Sequence, residues 1–570
     1  MSVAKMFRET ASKYPNKTAF IFEDTKWTFS QLDEYSSRVA NHLKNSGVKH
    51  GEAVALLMEN RPEYVATWLG CAKLGVVCAL INFNLRSSTL LHCIEASGAK
   101  ILICGKELSE AVAEVQNEAS DIPVLVSGLG ENATSTNGMV NLDLMLQSSS
   151  NTCPDEINAT GTSDILLYIF TSGTTGMPKA AITTNAKHLE QKILLRPHSG
   201  ITSKWIIYSC YLRLHINTKG YLSAMLPALL FGCGVVIRKK FSASQYWIEA
   251  KKHNCTASLY IGEICRYLLN TPPKPEDKTH KVRRMVGVGL RPQLWEEFVE
   301  RFNNPTILEF YGATEGNIGL VNLVGKVGAI GHLSVVFPKL LPFLLVKTDP
   351  DTGEYFRDKN GVCIPSKPGE AGEVVGIIKE IIPGIKYDGY LDKKAAQKKI
   401  IKDVRTKGDS AFASGDILVM DELGFLYFQD RTGDTFRWRG ENVSTMEVEA
   451  HVSRIVGGMD IAVFGVKVPG CEGAAGMAAI ADPEGTVEVA SLLEGVKKVL
   501  PPYARPTFIR ICKKIDLTGT FKIKKVSLKK EGFDPSVVSD PLYCLDSRQT
   551  QYLPLTDDLH QKILHSKAGF

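Results

Sequence analysis

The stretch Tyr168–Ile182 reads YIFTSGTTGMPKAAI, and the prediction of the fold starts from it. An apolar strand leads into small, hydroxyl-bearing and glycine residues, and Pro178 and Lys179 follow. Backbone N–H groups and hydroxyls in such a loop can surround an anion, and glycine permits the close approach. The loop is not a Walker A motif, which needs glycine in place of Pro178 and a hydroxyl in place of Ala180. We therefore predict a strand and a phosphate-binding loop of another kind, against the alternative of an ordinary turn.

On both sides of this stretch, apolar strand-like runs alternate with helix-like segments. Several runs are continuously hydrophobic, which is typical of strands covered on both faces. They are Ala53–Met58, Lys100–Cys104, Pro123–Ser127, Asp164–Phe170 and Val235–Lys239. The pattern predicts an α/β architecture with mixed, largely buried sheets. The Ser-, Thr- and Asn-rich segment Gly128–Tyr168 is expected to be a surface loop around a short apolar segment.

The character of the chain changes after about residue 430. A glycine- and charge-rich segment, Asp430–Ser444, precedes a helix-like segment, Glu447–Val456. Strand-like runs follow at Ala462–Val468 and Gly476–Ala481, and the end is rich in lysine. This order predicts a second, smaller α+β domain.

Composition limits the classes of protein that the chain can represent. Its 570 residues are 44% apolar and 22% charged, which excludes disorder, collagen and a small disulfide scaffold. The net charge of +6 disfavours a dedicated nucleic-acid binder. The 13 cysteines are scattered without a CxxC pair, which indicates reduced thiols in a protein facing the cytosol.

Three apolar stretches can be considered as membrane spans. Tyr64–Ile81, Tyr221–Ile237 and Leu333–Val346 are each interrupted by lysine, proline or glycine, so none is an unbroken apolar run of about 20 residues. The N-terminal sequence also lacks the apolar segment of a signal peptide. We expect a soluble or peripheral protein without a clear transmembrane helix.

Two glycine patterns resemble a dinucleotide-binding motif, but neither meets its requirements. GVGLRP (Gly287–Pro292) has proline at the last glycine position, and no amphipathic helix follows GLGENA (Gly128–Ala133). A dehydrogenase is therefore disfavoured.

Two short motifs carry groups suited to a nucleotide. In FYGATEGN (Phe310–Asn317), Tyr311 can stack on a base, and Glu315 offers the oxygen ligand that Mg²⁺ prefers. In SGDIL (Ser414–Leu418), Asp416 can accept from two sugar hydroxyls. Taken singly, the alternatives are an exposed strand and turn for the first motif, and an aspartate that caps its own backbone for the second.

Together these motifs resemble the adenylate-forming superfamily. YIFTSGTTGMPKAA, FYGATEGN, SGD, the segment from Asp430 and LTGTFKIKK (Leu517–Lys525) occur in its order and rough spacing. More specific strings look like the fatty acid transport protein and very-long-chain acyl-CoA synthetase family. They are VVIRKKFSAS (Val235–Ser244), YIGEICRYLLN (Tyr260–Asn270), DRTGDTFRWRGENVST (Asp430–Thr445) and YARPTFIR (Tyr503–Arg510).

The resemblance implies a role for each matching residue. The phosphate loop would comprise Thr171, Ser172, Gly173, Thr174, Thr175 and Lys179. Tyr311 would lie on the adenine, Thr314 near the α-phosphate and Glu315 on Mg²⁺. Asp416 and Arg431 would hold the ribose hydroxyls.

Lys522 stands where the family carries its adenylation lysine, although Lys524 and Lys525 are close enough to be alternatives. The superfamily hinge position falls on Gly433, and glycine tolerates the large φ/ψ change of a hinge. The implied organisation is an N-terminal AMP-binding domain of residues 1–430, a hinge at 431–434, and a mobile C-terminal α+β domain of residues 435–570 that carries the lysine.

The implied function is that of an ATP-dependent long- or very-long-chain fatty acid CoA ligase. It would act through an acyl-adenylate with ATP, Mg²⁺ and coenzyme A, and so couple fatty acid uptake to thioester formation. Two alternatives remain open: a transport or scaffold protein with little ligase activity, and a ligase for another carboxylate such as a bile acid. The first is motivated by Cys210–Gly220, which departs from the family pattern.

The implied location is a membrane surface facing the cytosol, at the endoplasmic reticulum or the plasma membrane. No nucleic-acid partner is expected, and the sequence leaves room for a homo-oligomer. Val496–Lys530 holds 11 Lys and Arg residues against a single Asp, so positive charge is concentrated around Lys522. We expect this charge to face phosphates or an anionic membrane surface, with a solvated basic face as the alternative.

Overall fold

The computed structural model describes most of the chain. The described residues are 1–116, 118, 122–130, 133–136, 138–171, 177–189, 202–209, 229–303, 305–338, 341–349, 353–379, 386–431, 436–438, 441–469, 471, 473–517, 523–546 and 551–565. The chain divides into two compact units. Unit 1 comprises Met1–His332 and Gly376–Ile400, and unit 2 comprises Leu333–Val375 and Ile401–Phe570.

The α-helices of the described residues are short to medium in length. They are α1 Val3–Lys13, α2 Phe29–Asn45, α3 Pro62–Leu74, α4 Ser87–Ala96, α5 Ser109–Gln116, α6 Leu142–Ser148, α7 Tyr246–Lys252, α8 Gly262–Leu269, α9 Glu276–Thr279, α10 Pro292–Arg301, α11 Lys393–Gln397, α12 Thr445–Ile455, α13 Val489–Val499, α14 Val526–Glu531 and α15 Asp557–Leu564. Turns of 3₁₀-helix occupy Lys106–Leu108, Asp155–Ala159 and Pro502–Ala504. No helix in the ranges given above is both long and apolar enough to cross a membrane.

The first sheet of unit 1 has eight strands in the order β16-β15-β14-β13-β11-β12-β1-β2. They are β1 Thr18–Phe22, β2 Thr25–Thr28, β11 Ile206–Ser209, β12 Gly234–Ile237, β13 Ala257–Ile261, β14 Arg284–Val288, β15 Thr306–Gly312 and β16 Gly319–Asn322. The pairs from β1 through β12, β11, β13 and β14 to β15 are parallel. The carboxyl ends of β13, β14 and β15 therefore share one edge, where α/β proteins bind their ligands.

The second sheet of unit 1 also has eight strands, in the order β10-β9-β4-β3-β5-β6-β8-β7. They are β3 Ala53–Leu57, β4 Val77–Leu80, β5 Ala99–Gly105, β6 Val124–Ser127, β7 Ser135–Thr136, β8 Met139–Asn141, β9 Ile165–Thr171 and β10 Lys179–Thr184. All five residues of β3 are buried. The continuous apolar runs in the sequence therefore mark parallel strands that are covered on both faces, as predicted.

Unit 2 contains a sheet in which β22, β21, β19 and β18 lie in that order, with β20 beside β21. The bounds are β18 Phe343–Val346, β19 Ala371–Ile377, β20 Ile400–Lys402, β21 Ser410–Met420 and β22 Phe425–Arg431. The remaining strand, β17 Ala329–His332, consists of residues of unit 1. A hairpin of β23 Phe436–Trp438 and β24 Glu441–Val443 follows. The last sheet comprises β25 Ile461–Val466, β26 Ala475–Ala481, β27 Phe508–Cys512, β28 Leu542–Asp546 and β29 Gln551–Pro554.

The expected surface loop at Gly128–Tyr168 is wrong in part. Within this segment the structure has the short strands β7 and β8, the helix α6 and a 3₁₀ turn. Asn141 caps α6, because its side chain accepts a hydrogen bond from the N–H group of Asp143 at 2.8 Å. The polar residues that suggested a loop therefore include a residue that starts a helix.

Candidate active site

The predicted phosphate loop connects two antiparallel strands at the edge of the second sheet. Thr171 ends β9, and it pairs in register with Lys179, the first residue of β10. The Thr171 hydroxyl donates to the carbonyl oxygen of Lys179 at 3.4 Å, and Nε2 of His92 lies 3.0 Å from the carbonyl oxygen of Pro178. Ser172, Gly173, Thr174 and Thr175 lie outside the described residues. Both ends of the loop are thus fixed by the sheet.

The second predicted motif follows β15. Tyr311 lies near the end of this strand, and a turn closes where the N–H group of Gly316 donates to the carbonyl oxygen of Ala313 at 3.2 Å. Thr314 is 1% exposed, and its hydroxyl has no hydrogen-bond partner among the described residues. Because a buried hydroxyl without a partner is costly, this atom is suited to accept or donate a bond to a ligand. Glu315 is half-buried beside it.

A tyrosine that sequence analysis missed connects the two motifs. The Tyr390 hydroxyl lies close to the side chains of both Thr171 and Glu315, and burial together with the Glu315 charge raises its pKa. Tyr387 also lies close to Glu315, whose charge adds to burial in raising the pKa of that phenol. The structure therefore places Thr171, at the start of the predicted phosphate loop, near Glu315, the predicted Mg²⁺ ligand. The only signal in the sequence was a pair of tyrosines at Tyr387 and Tyr390.

Residues 386–391 are held against β10 by backbone bonds. The N–H group of Ile182 donates to the carbonyl oxygen of Gly389, and the N–H group of Leu391 donates to that of Ala180, both at 2.9 Å. Gly389 has a φ of +67°, a conformation that favours glycine. This pairing gives Tyr390 a defined position relative to β10.

A buried ion pair also holds this segment. Nζ of Lys187 lies 3.0 Å from Oδ2 of Asp388, and the two side chains are 3% and 8% exposed. The hydroxyl of Thr184 donates to the same carboxylate oxygen at 3.3 Å.

We expect Asp388→Ala to lower the free energy of unfolding by about 3–5 kcal/mol, because it leaves the Lys187 ammonium group buried without this carboxylate. Urea titration of the first unfolding transition measures the loss. The control is Asp558→Ala, which breaks a pair with Lys562 in which both side chains are more than half exposed. The control should change stability by less than about 1 kcal/mol. Equal effects of the two substitutions would contradict a stabilising role for the buried pair.

The two predicted ribose residues meet in unit 2. Asp416 and Arg431 are register partners on β21 and β22, and Nε of Arg431 lies 3.1 Å from Oδ1 of Asp416. The Asp416 residue is 8% exposed, whereas the Arg431 side chain is 46% exposed. Arg431 can therefore reach a ligand while its ion pair orients the Asp416 carboxylate.

A second carboxylate, which sequence analysis missed, holds the turn before Asp416. Oε1 of Glu373 accepts from the N–H group of Gly415 at 2.7 Å, and Oε2 accepts from the Tyr355 hydroxyl at 3.0 Å. The Ser414 hydroxyl donates to the carbonyl oxygen of Val374 at 2.7 Å and accepts from the N–H group of Asp416 at 3.0 Å. These bonds fix the direction of the Asp416 side chain.

The structure describes two of the three candidate lysines, Lys524 and Lys525. Lys522 and Gly433 lie outside the described residues. Nζ of Lys525 lies 2.8 Å from Oε1 of Glu449 and donates to the Thr445 hydroxyl at 2.9 Å, so Lys525 holds α12 in place. Lys524 is exposed. Because Lys525 is occupied by two partners, it is a poor candidate for the adenylation lysine.

The concentration of positive charge is partly neutralised by acidic residues outside Val496–Lys530. Arg510 forms ion pairs with Glu531 at 2.6 Å and with Asp540 at 2.7 Å. Lys497 pairs with Glu494 at 2.8 Å. The local excess is therefore smaller than the segment's own count suggests, and a role for it at phosphates or at a membrane stays a prediction.

Comparison with known proteins identifies the class to which this site belongs. The AMP-binding enzyme family matches residues 7–376, and its C-terminal domain family matches residues 447–522. An anthranilate CoA ligase, AuaEII, in complex with anthranoyl-AMP has a TM-score of 0.75 at 20% identity, covering 93% of this chain and 97% of that one. A fatty acyl CoA synthetase of Mycobacterium tuberculosis has a TM-score of 0.63 at 20% identity, covering 93% and 98%. These likenesses establish the fold, and the chain is an AMP-binding enzyme of the adenylate-forming superfamily.

Relatives in sequence identify the family within this superfamily to which the chain belongs. Long-chain fatty acid transport protein 1 of Homo sapiens is 46% identical over 99% of this chain and 87% of its own length. Long-chain fatty acid transport protein 2 of Rattus norvegicus is 42% identical over 99% and 90%. The chain belongs to the long-chain fatty acid transport protein family. The predicted resemblance, fold class and enzyme class are thereby confirmed, whereas the domain limits and the roles of single residues stay predictions.

Proposed function

We propose that the protein is an ATP-dependent long- or very-long-chain fatty acid CoA ligase that acts through an acyl-adenylate. The observation that carries this proposal is the contact of Tyr390 with both Thr171 and Glu315. A phosphate loop and a carboxylate suited to Mg²⁺ are required together when a phosphoryl group is transferred. The names of the sequence relatives supply the class of acid.

In the first half-reaction, a carboxylate oxygen of the fatty acid forms a bond to the α-phosphorus of ATP. The bond from that phosphorus to the bridging oxygen breaks, and pyrophosphate leaves with the electron pair. The phosphate loop and Lys522 stabilise the charge that builds up on the phosphoryl oxygens, and the Thr314 hydroxyl is available to one of these oxygens. Mg²⁺, when bound, neutralises phosphate charge, and the half-buried carboxylate of Glu315 fits it as an oxygen ligand.

Three residues are proposed to bind the nucleoside. Tyr311 would stack on the adenine, and Asp416 would accept hydrogen bonds from ribose hydroxyls. Arg431 orients Asp416 through their ion pair and adds a donor of its own.

In the second half-reaction, the thiolate sulfur of coenzyme A attacks the acyl carbonyl carbon. The bond between that carbon and the phosphate oxygen breaks, and AMP leaves with the electron pair. The C-terminal domain would rotate about Gly433 between the two half-reactions, because the adenylation lysine is then no longer needed at the phosphate.

We expect Gly433→Pro to impair one half-reaction more than the other, by roughly tenfold or more, because proline fixes φ at the proposed hinge. ATP–pyrophosphate exchange reports the first half-reaction, and acyl-CoA formation from supplied acyl-adenylate reports the second. Gly433→Ala is the matched control, since alanine leaves φ largely free. Equal impairment of both half-reactions by Gly433→Pro would argue against a hinge at this residue.

The enzyme would act at a membrane surface, as a peripheral protein that faces the cytosol at the endoplasmic reticulum or plasma membrane. Its fatty acid substrate partitions into bilayers, and trapping it as a thioester would drive uptake. Every cysteine among the described residues is free, in keeping with a reducing compartment.

The decisive experiment measures acyl-CoA formation by the purified protein with acids from medium to very long chain, and with a bile acid. Lys522→Ala is the control without adenylation activity. Turnover that is highest with long or very long chains supports the proposal, and turnover that is highest with the bile acid favours a ligase for that class. No turnover with any acid favours a transport or scaffold role. The segment that motivated this alternative, Cys210–Gly220, lies outside the described residues.

A further inference from the structure

A buried carboxyl group at the first sheet is not used by any of the roles above. Glu309 is on β15, two residues before Tyr311, and it is 1% exposed. Side chains two residues apart on a strand point to the same face of the sheet. Glu309 and Tyr311 are therefore neighbours on one face.

The carboxyl group is reached by a tyrosine from two strands away. Tyr260 of β13 pairs in register with Gly287 of β14, and Gly287 pairs with Glu309. A Cβ atom at Gly287 would lie 2.7 Å from Cγ and Cδ1 of the Tyr260 ring, too close for a side chain. Because glycine leaves this space empty, the Tyr260 hydroxyl reaches across β14 and donates to Oε2 of Glu309.

The other carboxyl oxygen holds the turn that follows β14. Oε1 of Glu309 accepts from the N–H group of Gly289 and from that of Leu290, the latter at 3.2 Å. Gly289 has a φ of +79°, and a Cβ atom at Gly262 would lie 1.7 Å from its carbonyl oxygen. The turn is thus packed against the start of α8 on one side and bonded to Glu309 on the other.

The strand register places this turn beside the proposed adenine platform. Gly287 lies opposite Glu309 in the parallel pair, and the same register continued by two residues would place Gly289 opposite Tyr311. We therefore expect the Gly289–Leu290 turn and Tyr311 to adjoin at the carboxyl edge of the sheet.

The raised pKa of the Glu309 carboxyl group is consistent with a role in holding the turn. Burial raises the pKa of its carboxyl group to about 8, against the opposing effect of the bonds from Tyr260, Gly289 and Leu290. Burial also raises the pKa of the Tyr260 phenol well above its usual value, so its hydroxyl keeps the proton that it donates to Glu309. A carboxyl group with such a pKa is largely neutral at pH 7, so glutamine matches it in both shape and charge.

We propose that Glu309 and Tyr260 are positioning residues for the adenine of ATP, which fix the Gly289–Leu290 turn beside Tyr311 without touching the nucleotide. This inference rests on the proposed function, which assigns the adenine to Tyr311. The two residues would determine the shape of the adenine site indirectly, through the turn that they hold.

The test uses the variants Glu309→Ala, Glu309→Gln and Tyr260→Phe. For each variant, calorimetry measures the binding of AMP, and a steady-state assay measures how strongly inorganic pyrophosphate inhibits acyl-CoA formation. AMP contains the adenine, whereas pyrophosphate does not. The matched control is Tyr246→Phe, which removes an equally buried hydroxyl that bonds Ser258 of β13 at 2.5 Å, away from the turn.

We expect Glu309→Ala to weaken AMP binding by roughly tenfold or more, because two buried N–H donors lose their acceptor. Glu309→Gln should stay within about threefold of the unmodified protein, and Tyr260→Phe should fall between the two. Pyrophosphate inhibition should be unchanged in all variants, and Tyr246→Phe should bind AMP normally. If Glu309→Ala does not fold, the AMP affinities of Glu309→Gln, Tyr260→Phe and Tyr246→Phe are compared instead.

Equal losses of AMP and pyrophosphate binding would overturn the inference, since they would indicate general destabilisation. It would also be overturned by normal AMP binding in Glu309→Ala or, where that variant does not fold, in Tyr260→Phe. A failure of the proposed function looks different, because the unmodified protein would then neither bind AMP nor form acyl-CoA.

Discussion

Lys522→Ala should slow ATP–pyrophosphate exchange by roughly 10²–10³, the typical cost of losing one group that stabilises transition-state charge. The formation of acyl-CoA from supplied acyl-adenylate should largely survive, because that step no longer transfers a phosphoryl group. The two half-reactions are therefore measured separately, with the same fatty acid in each.

The neighbouring lysines make this experiment specific. Lys524→Ala removes the same charge from an exposed side chain two residues away, and it should leave both half-reactions nearly unchanged. Lys525 is unsuitable as a control, because its ammonium group is bonded to Glu449 and Thr445 and its loss would disturb α12. Equal loss of both half-reactions in Lys522→Ala, or a loss in Lys524→Ala of similar size, would contradict the assignment of Lys522.

Glu315→Gln is the second substitution from which we expect a large effect. The side chain keeps its shape and its capacity to bond with Tyr390, but it loses the negative charge that makes it a ligand for Mg²⁺. We expect ATP–pyrophosphate exchange to fall by roughly 10²–10³. The Mg²⁺ concentration at half-maximal rate should rise, which a titration of Mg²⁺ at saturating ATP measures.

The control for this substitution is Glu297→Gln, which makes the same chemical change at an exposed position on α10. It should alter neither the rate nor the Mg²⁺ dependence. If Glu315→Gln lowered the rate without changing the Mg²⁺ dependence, Glu315 would act by some means other than binding the metal.

Local patterns were sufficient to predict several buried strands, including the one that leads into the predicted phosphate loop. The apolar run Asp164–Phe170 predicts β9 because a strand covered on both faces needs little besides hydrophobic residues. Asp416 and Arg431 were predicted to act together by resemblance, and antiparallel register brings them together. The polar composition of Gly128–Tyr168 led to the wrong prediction of a loop. Asn141, one of its polar residues, caps the helix α6.

Contacts between distant parts of the chain could not be predicted in this way. Tyr390 approaches Thr171 and Glu315 only because residues 386–391 pair with β10, and no periodicity in the sequence signals that pairing. The same holds for Gly287, which looked like part of a failed dinucleotide motif. Its lack of a side chain is explained by the Tyr260 ring, which belongs to the neighbouring strand.

The pairing of residues 386–391 with β10 also has a consequence for biosynthesis. In the second sheet β10 is an edge strand, and an uncovered edge exposes backbone groups that can pair with other chains. A nascent chain that has passed Thr184 must be extended to Leu391 before this edge can be covered, which takes roughly 10–40 s at ~5–20 residues per second. Chains that stop within that interval would carry a complete β10 with an open edge, and would be prone to aggregate on the ribosome or after release.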